Sequence, residues 1–249
     1  MSRWLFVLIP PSEAKTTGGT SGSSVGLFDA ELGAHRALVR DALGAVLDVG
    51  GVFALEKTLG VRAGLLDQAM AASRLIVEGV APMSPAWQRY SGVVWNHLEP
   101  ATLSSSQLRR ILVPSGLYGV TTGEDPVAEY RLKMDVRLAP LGRLNDFWRL
   151  SVTSAIAAHV KGAVVVNLLP NEHRLAVDES LLEGRLELIN VGFVSYAGDR
   201  AVGHNAKAVK GILARRLLCD GVGVLDDFHW RGWKSTRQRG EIVVRGPKK

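Results

Sequence analysis

The chain has 249 residues and a mass of 26.8 kDa, with 47% apolar and 22% charged residues. This composition is typical of a globular protein with a sizeable buried core, and it excludes disordered and fibrous chains. A single cysteine, Cys219, excludes an internal disulfide and a thiolate zinc site. The first apolar run ends at Pro10, and no run reaches the ~20 residues of a membrane span, so we predict a cytoplasmic protein without membrane partners.

The positive charge is concentrated at the C-terminal end. The chain has 30 basic and 24 acidic residues, a formal net charge of +6. Residues 201–249 hold 11 of the basic and 4 of the acidic residues, so the first 200 residues have a net charge of −1. Such an asymmetry favours a phosphate-bearing partner such as nucleic acid, although a basic tail is also common in proteins where it serves only solubility.

The hydrophobic pattern predicts helices and strands along the whole length. Strands are predicted at the short apolar runs, 4–9, 111–113, 163–169, 186–195 and 241–245. Helices are predicted where apolar residues recur at helical spacing, 29–47, 85–98, 146–161 and 205–219. Asp29 and Asn145 are the predicted N-caps. Two shorter helices are predicted around a glycine turn at 59–61, and the whole pattern predicts one α/β or α+β domain over residues 1–249.

Nucleotide and metal motifs are absent from the sequence. No Gly-x-x-x-x-Gly-Lys-Ser/Thr run occurs, and the glycines of 18–26 do not fit Gly-x-Gly-x-x-Gly at a helix start. The six histidines lack the His-Glu-x-x-His spacing, so no metal site is predicted, and the sequence specifies no cofactor. Ser12 and Lys15 form Ser-x-x-Lys, but the companion motifs of serine acyl enzymes are missing.

Two segments at predicted strand ends are candidate ligand sites. After the first strand, Ser12, Lys15 and Thr16 offer hydroxyl donors and a positive charge to an anion. In Pro-Ser-Gly-Leu-Tyr-Gly-Val at 114–120, two glycines let the backbone approach a ligand, and Tyr118 provides a ring for stacking. These segments suit a planar or phosphorylated ligand.

Cationic segments follow further along the chain. In 130–134, an extended backbone places Arg131 and Lys133 on one face and Leu132 on the other, although an exposed edge would show the same alternation. Lys207 and Lys210 are three residues apart and share a helix face, which is also typical of a solvated surface.

Asparagines stand at the end of the strand predicted over 163–169. Asn167 and Asn171 occupy the position where open α/β sheets collect ligands, although Asn171 also suits a helix cap. Glu172 and His173 are an acid and a base, but neighbouring residues of a helix point about 100° apart, which disfavours a pair. Near the C-terminus, Trp230 and Trp233 occur among basic residues. This pattern is typical of side chains that stack on nucleic-acid bases, but also of aromatic residues that pack against the protein.

These segments together resemble the YaaA-like family of peroxide-stress-resistance proteins. The motifs that carry the resemblance are Pro-Pro-Ser-Glu-Ala-Lys-Thr at 10–16, Pro-Ser-Gly-Leu-Tyr-Gly-Val at 114–120, Tyr-Arg-Leu-Lys-Met at 130–134, Phe-Trp-Arg at 147–149, Asn-Leu-Leu-Pro-Asn-Glu at 167–172 and Gly-His-Asn-Ala-Lys-Ala-Val-Lys-Gly at 203–211. Residues 220–249 lie outside these motifs.

The resemblance implies a single elongated mixed-sheet domain with surrounding helices, a helix-hairpin-helix-like element and a positively charged cleft that binds DNA. The site residues that it implies are Ser12, Lys15, Thr16, Ser115, Tyr118, Arg131, Lys133, Asn167, Asn171, Lys207 and Lys210.

Two functional hypotheses follow, beside a plain scaffold whose glycines serve folding alone. In the first, the chain is a DNA-binding protein of the oxidative stress response. In the second, it is an enzyme acting on a purine-like or phosphorylated small molecule, with a nucleobase, a nucleotide or haem as candidate ligands. Ser12, Lys15 and His204 are then the candidates for proton transfer.

Overall fold

The computed structural model describes residues 4–20, 25–199, 203–238 and 241–248. Over these residues the chain forms an eight-stranded mixed sheet with surrounding helices, which confirms the α/β fold class. Across the same described ranges, the helices are too short or too polar to span a bilayer.

The strands come in three groups. In chain order they are β1 (Leu5–Leu8), β2 (Met83–Pro85), β3 (Ile111–Ser115), β4 (Gly119–Thr122), β5 (Pro126–Ala128), β6 (Arg137–Leu138), β7 (Gly142–Arg143), β8 (Val164–Asn167), β9 (Glu187–Val194), β10 (His229–Trp230), β11 (Trp233–Gln238) and β12 (Glu241–Arg245). The main sheet has the order β10-β11-β12-β9-β8-β1-β3-β4, while β2 pairs with β5 and β6 with β7.

Five neighbouring strands of the main sheet run parallel. They are β3, β1, β8, β9 and β12. At one end β4 is antiparallel to β3, and at the other end β11 is antiparallel to β12 and β10 to β11. Counted along the chain, the parallel strands have the spatial order 2-1-3-4-5, so the winding direction reverses between β1 and β8. Ligands of open α/β sheets bind at such a reversal, outside the carboxyl ends of the strands.

The α-helices of the described residues surround the sheet. They are α1 (Asp29–Val49), α2 (Val52–Leu59), α3 (Leu66–Val77), α4 (Ala86–Arg89), α5 (Val93–Leu98), α6 (Ser105–Leu108), α7 (Leu144–His159), α8 (Asn171–Arg174), α9 (His204–Asp220) and α10 (Val224–Asp227). The predicted helix pair near residue 60 is α2 and α3, joined through Gly60 in the left-handed region (φ 62°) and a short 3-10 helix.

The main core lies on both faces of the central strands. Every residue of β1, β3 and β8 is buried, as expected for parallel strands covered by helices on both sides. Trp95 of α5 and Trp148 of α7 are 1% and 0% exposed and are among the largest buried side chains. A second, smaller apolar cluster joins α1, α2 and α3.

Both predicted N-caps are wrong. Helix α1 begins at Asp29, whose carboxylate accepts a hydrogen bond from the amide of Gly26 instead of capping the helix. Helix α7 begins at Leu144, because the amide of that residue is held by a carbonyl of the preceding hairpin, so Asn145 lies buried inside the first turn.

The helix predicted over 85–98 is divided into α4 and α5. Tyr90 is extended (φ −78°, ψ 119°), and the amide of Ser91 donates to the carbonyl of Ala14 over 3.1 Å. The carbonyl of Arg89 likewise accepts from the amide of residue 16. These backbone bonds to a distant loop replace the intrahelical ones and interrupt the helix.

Other strand boundaries also differ from prediction. Pro114 and Ser115 do not end β3 but belong to it, because they pair with β4, which the sequence pattern did not predict. Strands β10 and β11 were not predicted either, and they extend the sheet beyond β12. Trp233 is 7% exposed, so it packs into the core rather than offering its ring to bases.

Helices α5 and α9 pack closely because residue 211 has no side chain. A Cβ on Gly211 would lie 2.2 Å from the carbonyl oxygen of Val94 and 2.8 Å from Cβ of His97. We expect Gly211→Ala to lower the free energy of unfolding by about 1–3 kcal/mol, measured by urea denaturation, since the helices must separate.

Gly33 of α1 provides the matched control, because a Cβ there would meet nothing within 4 Å. Gly33→Ala should raise stability by up to about 1 kcal/mol through helix propensity. An equal gain in Gly211→Ala would contradict the close packing of α5 and α9.

Candidate functional site

A cleft of about 690 Å³ lies outside the carboxyl ends of β1, β8 and β9, at the reversal of the strand order. Its walls come from the segments 10–14, 92–95, 169–174, 191–194 and 203–210. Apolar side chains such as Trp95 and Phe193 form much of the surface. The ionisable residues of its described lining are Glu13, Glu172, His173, Arg174, Lys207 and Lys210.

The loop after β1 is fastened to α5 and the residues before it. The hydroxyl of Ser12 donates to the carbonyl of Ser91 over 3.0 Å, and the indole of Trp95 donates to the carbonyl of Pro10 over 3.1 Å. A Cβ on Gly92 would lie 2.3 Å from Oγ of Ser12, so the two segments are in direct contact. This attachment places Ser12 and Glu13 on the cleft wall.

Glu13 is the point where distant cations meet. Nζ of Lys133 lies 3.1 Å from its carboxylate, and the guanidinium of Arg131 donates to its carbonyl over 2.8 Å. The hydrogen bond from Lys133, followed by the charges of Lys133, Lys207 and Lys15, lowers the pKa of Glu13 below its usual value. Residues from three parts of the sequence therefore surround one carboxylate.

Lys15 lies behind this loop in an aromatic environment. Its Nζ donates to the carbonyl of Ser12 over 2.7 Å and lies 4.0 Å from the ring centre of Tyr130 and 5.6 Å from that of Tyr90. Burial, reinforced by the positive charge of Arg131, lowers the pKa of Lys15 to about 7. A substantial share of the amine is thus uncharged at neutral pH.

His173 lies in the cleft wall, although the sequence pattern disfavoured a role for it. Nδ1 is buried without a hydrogen-bond partner in the described part of the chain, and it lies 3.8 Å from the carboxylate of Glu172. Burial lowers the pKa of His173 to about 4, and the charge of Lys210 acts in the same direction. The imidazole is therefore neutral at pH 7.

Four predicted site residues line the cleft: Ser12, Asn171, Lys207 and Lys210. Three more, Lys15, Arg131 and Lys133, contact its loop 10–14 from outside. Asn171 is the first residue of α8, and Pro170 occupies the N-cap without a side-chain hydrogen bond, so the cap interpretation of Asn171 is wrong.

Other predicted residues lie away from the cleft lining. Asn167 is 3% exposed, and its amide donates to Asn190 and accepts from the amide of Leu169, so it joins β8 to β9. Thr16 donates its hydroxyl to the carbonyl of Gln88.

The remaining predicted residues are also used elsewhere. His204 begins α9 and packs its ring edge-on against His97, with the ring centres 6.2 Å apart. Ser115 is fully buried, and its hydroxyl accepts from the amide of Tyr118. Tyr118 lines a different cavity, and its own hydroxyl accepts from the amide of Ala128.

The glycines of 114–120 allow other segments of the same chain to pack closely, and these segments occupy the space expected for a ligand. A Cβ on Gly116 would lie 2.8 Å from the carbonyl oxygens of Leu132 and Lys133. A Cβ on Gly119 would lie 2.8 Å from the ring of Trp148. The close approach thus brings the motif 114–120 against the motif 130–134 and against α7.

The sequence pattern did not indicate two structural arginines, the fully buried Arg89 and the partly buried Arg36. Arg89 is 0% exposed and donates to several carbonyls, including those of Gly18 (2.8 Å), Pro82 (3.1 Å) and Val127 (3.1 Å). Arg36 donates to two carbonyls of the 118–120 turn and pairs with Asp29. The sequence pattern gave no signal, because most of their carbonyl partners lie 38 to 84 residues away.

The low pKa of Lys15 predicts a pH dependence of stability. The unfolded chain binds this proton up to about pH 10 but the folded chain only up to about 7, so stability rises with pH through this window. We expect Lys15→Met to remove that part of the rise, measured by urea denaturation from pH 7 to 9. Lys57→Met, on the exposed side of α2, controls for the loss of one charge; an equal loss of slope there would contradict the assignment to Lys15.

Comparison with known proteins agrees with the motif pattern. A family model described as peroxide stress protein YaaA matches residues 5–238. A UPF0246 protein of Streptomyces coelicolor is 28% identical over 224 residues, which cover 87% of this chain and 84% of the relative. One of Corynebacterium glutamicum is 31% identical over 225 residues, covering 86% and 84%. The chain therefore belongs to the family of the peroxide stress protein YaaA, as its motifs predicted.

Proposed function

We propose that this protein binds DNA in the peroxide stress response, through the cleft and the cations beside it. The observation that carries the proposal is the convergence of the charged side chains of Lys133 and Lys207 on Glu13, with Arg131 bound to the same residue. These cations come from two distant parts of the chain. Gathered positive charge of this kind attracts a phosphate backbone and releases its counterions.

The accessible cations are well placed for phosphate contacts. Lys207 is exposed, and the side chain of Lys133 is 47% exposed. Lys133 is held to Glu13, and that carboxylate carries the charge that a DNA phosphate would replace. Lys210 stacks its ammonium over the ring of Phe193 at 4.9 Å, which holds a further cation in the cleft.

The α2–α3 turn adjoins these cations and supports the proposal. Gly60 packs directly on Lys133, since a Cβ there would lie 3.0 Å from its Cε. The exposed residues Arg62 and Gly64 follow, at the start of the helical segment that leads into α3. Arg62 adds a further exposed cation to this side of the chain. The turn therefore supports the proposal through its charge.

A salt titration of DNA binding tests the proposal. We expect binding of a labelled duplex, followed by fluorescence anisotropy, to weaken steeply with salt. Lys133→Ala and Lys207→Ala should each weaken binding and lower the slope of log K against log salt by about 1, because each removes one phosphate contact. Glu13→Gln should tighten binding, since it frees both lysines from a competing carboxylate.

Lys161 provides the matched control. It is exposed and lies before β8, at the end of the strand opposite the cleft. Lys161→Ala should leave the titration unchanged. A duplex that fails to bind at low salt, or Glu13→Gln binding more weakly than the wild type, would overturn the proposal.

The second hypothesis, an enzyme of purine-like or phosphorylated small molecules, is favoured by one observation. The cleft combines a neutral, unpartnered imidazole, His173, with two lysines and an aromatic wall, and its volume is within the range of small-molecule sites. A neutral imidazole offers a ligand one acceptor nitrogen and one N–H donor, while a pKa of about 4 makes His173 a weak general base at pH 7.

Ligand-dependent melting tests this second function. We expect adenosine monophosphate to raise Tm of the wild type, and His173→Ala to reduce the rise, because the imidazole loses its contact with the ligand. His229→Ala, an exposed histidine on β10, should retain the full rise. If neither a nucleobase, a nucleotide nor haem changes Tm, the enzyme hypothesis is wrong while DNA binding stands unaffected.

A further inference from the structure

A second cavity of about 240 Å³ lies between α1, the end of α3 and the start of β5. Its described lining shares no residue with that of the cleft. Tyr118 lines this cavity, which gives a location to the ring that the sequence pattern singled out and that the cleft does not use.

Arg36 is satisfied within the fold. Its guanidinium donates to the carbonyls of Tyr118 and Val120 over 2.9 Å each and pairs with the carboxylate of Asp29. Asp29 also accepts from the amide of Gly26 over 2.9 Å. These two opposite charges neutralise each other in the cavity wall.

Asp125 is also satisfied within the fold. It is 7% exposed, and its two carboxylate oxygens accept from the amides of Leu27 (3.0 Å) and Thr122 (2.8 Å). These bonds hold the loop before α1 against the turn after β4. The carboxylate therefore acts as a structural tie and repels an approaching anion less than a free one would.

Two polar groups of the lining have no such partner. Arg40 lies one helical turn after Arg36 and is exposed, with no ion pair among the described residues. Thr121 is 1% exposed, and its Oγ1 has no hydrogen-bond partner in the described part of the chain. This oxygen is shielded from the cavity as well as from solvent, so it offers a ligand no hydrogen bond, and Arg40 is the polar group that remains for recognition.

The rest of the cavity wall is apolar and suits an aromatic ring of a ligand. Ile76, Met83, Leu117 and Ala128 line it together with the ring of Tyr118, whose hydroxyl is already used by a backbone amide. An apolar cavity of about 150 Å³ holds benzene. A volume of about 240 Å³ therefore fits one substituted ring or two fused rings.

We propose that this cavity binds a small aromatic carboxylate. The ring lies between Met83 and Tyr118, and the carboxylate pairs with Arg40 at the mouth. The ion pair of Arg36 with Asp29 and the backbone bonds of Asp125 stay intact, so binding needs no rearrangement of α1. The site is independent of the cleft and of the DNA-binding proposal.

Calorimetric titration with 2-naphthoate tests the proposal, with the uncharged 2-naphthamide as the paired ligand. We expect naphthoate to bind more tightly than the amide, and Arg40→Gln to weaken naphthoate by about fivefold, the upper range for an exposed ion pair, without affecting the amide. Thr121→Val should raise Tm of the free protein and leave the affinity of both ligands unchanged, because it removes an unpartnered hydroxyl that the ligand does not reach. Ala81→Leu, which fills the cavity, should abolish both.

Two controls make the result specific. Lys161→Gln removes a distant charge and should leave naphthoate binding unchanged. Lys207→Ala separates the two sites: if it abolishes naphthoate binding while Ala81→Leu does not, the ligand occupies the cleft and the proposal is wrong. Absence of binding by either ligand, or equal affinity of the two in the wild type, would also overturn it.

Discussion

The architecture depends on how residues 10–16 are bonded to the segment 88–95. The amides of Thr16 and Ser91 and the indole of Trp95 supply the bonds, and they interrupt the helix that the local pattern favours. Because the partners are about 80 residues apart, the loop takes its shape only when β1 and α5 are already packed. The cleft wall is thus a product of the core rather than of the loop's own preferences.

The charged side chains around this loop differ in their exposure to solvent. Lys133 and Lys207 are accessible to solvent beside Glu13, while Lys15 lies against the rings of Tyr90 and Tyr130. Desolvation accounts for the low pKa of the buried lysine, and the neighbouring Arg131 adds to it. The lysines around Glu13 therefore differ in chemical character. Lys133 and Lys207 are exposed, while Lys15 is buried and exchanges its proton near neutral pH.

A tyrosine cluster separates the cleft from the second cavity. The hydroxyls of Tyr90 and Tyr130 lie 2.9 Å apart, and the ring of Tyr118 packs edge-on against that of Tyr130 with centres 5.6 Å apart. Burial raises the pKa of each of these phenols. The cluster is therefore neutral and closely packed, which keeps the two cavities apart and gives each its own set of polar groups.

The amino-acid pattern was sufficient for the fold class, the five parallel strands and the longer helices, since apolar periodicity and glycine positions are local signals. The family was recognisable from short motifs along the chain. The pattern also singled out Ser12, Lys207 and Lys210, which line the cleft. Polar residues that follow a strand or share a helix face can be recognised from the sequence alone. The pattern misplaced Asn145, assigned Tyr118 to the cleft although this residue lines the second cavity, disfavoured His173 and gave no signal for Arg89. The roles of these side chains depend on carbonyls, carboxylates and cavities contributed by remote segments, and such partners exist only after the chain has packed.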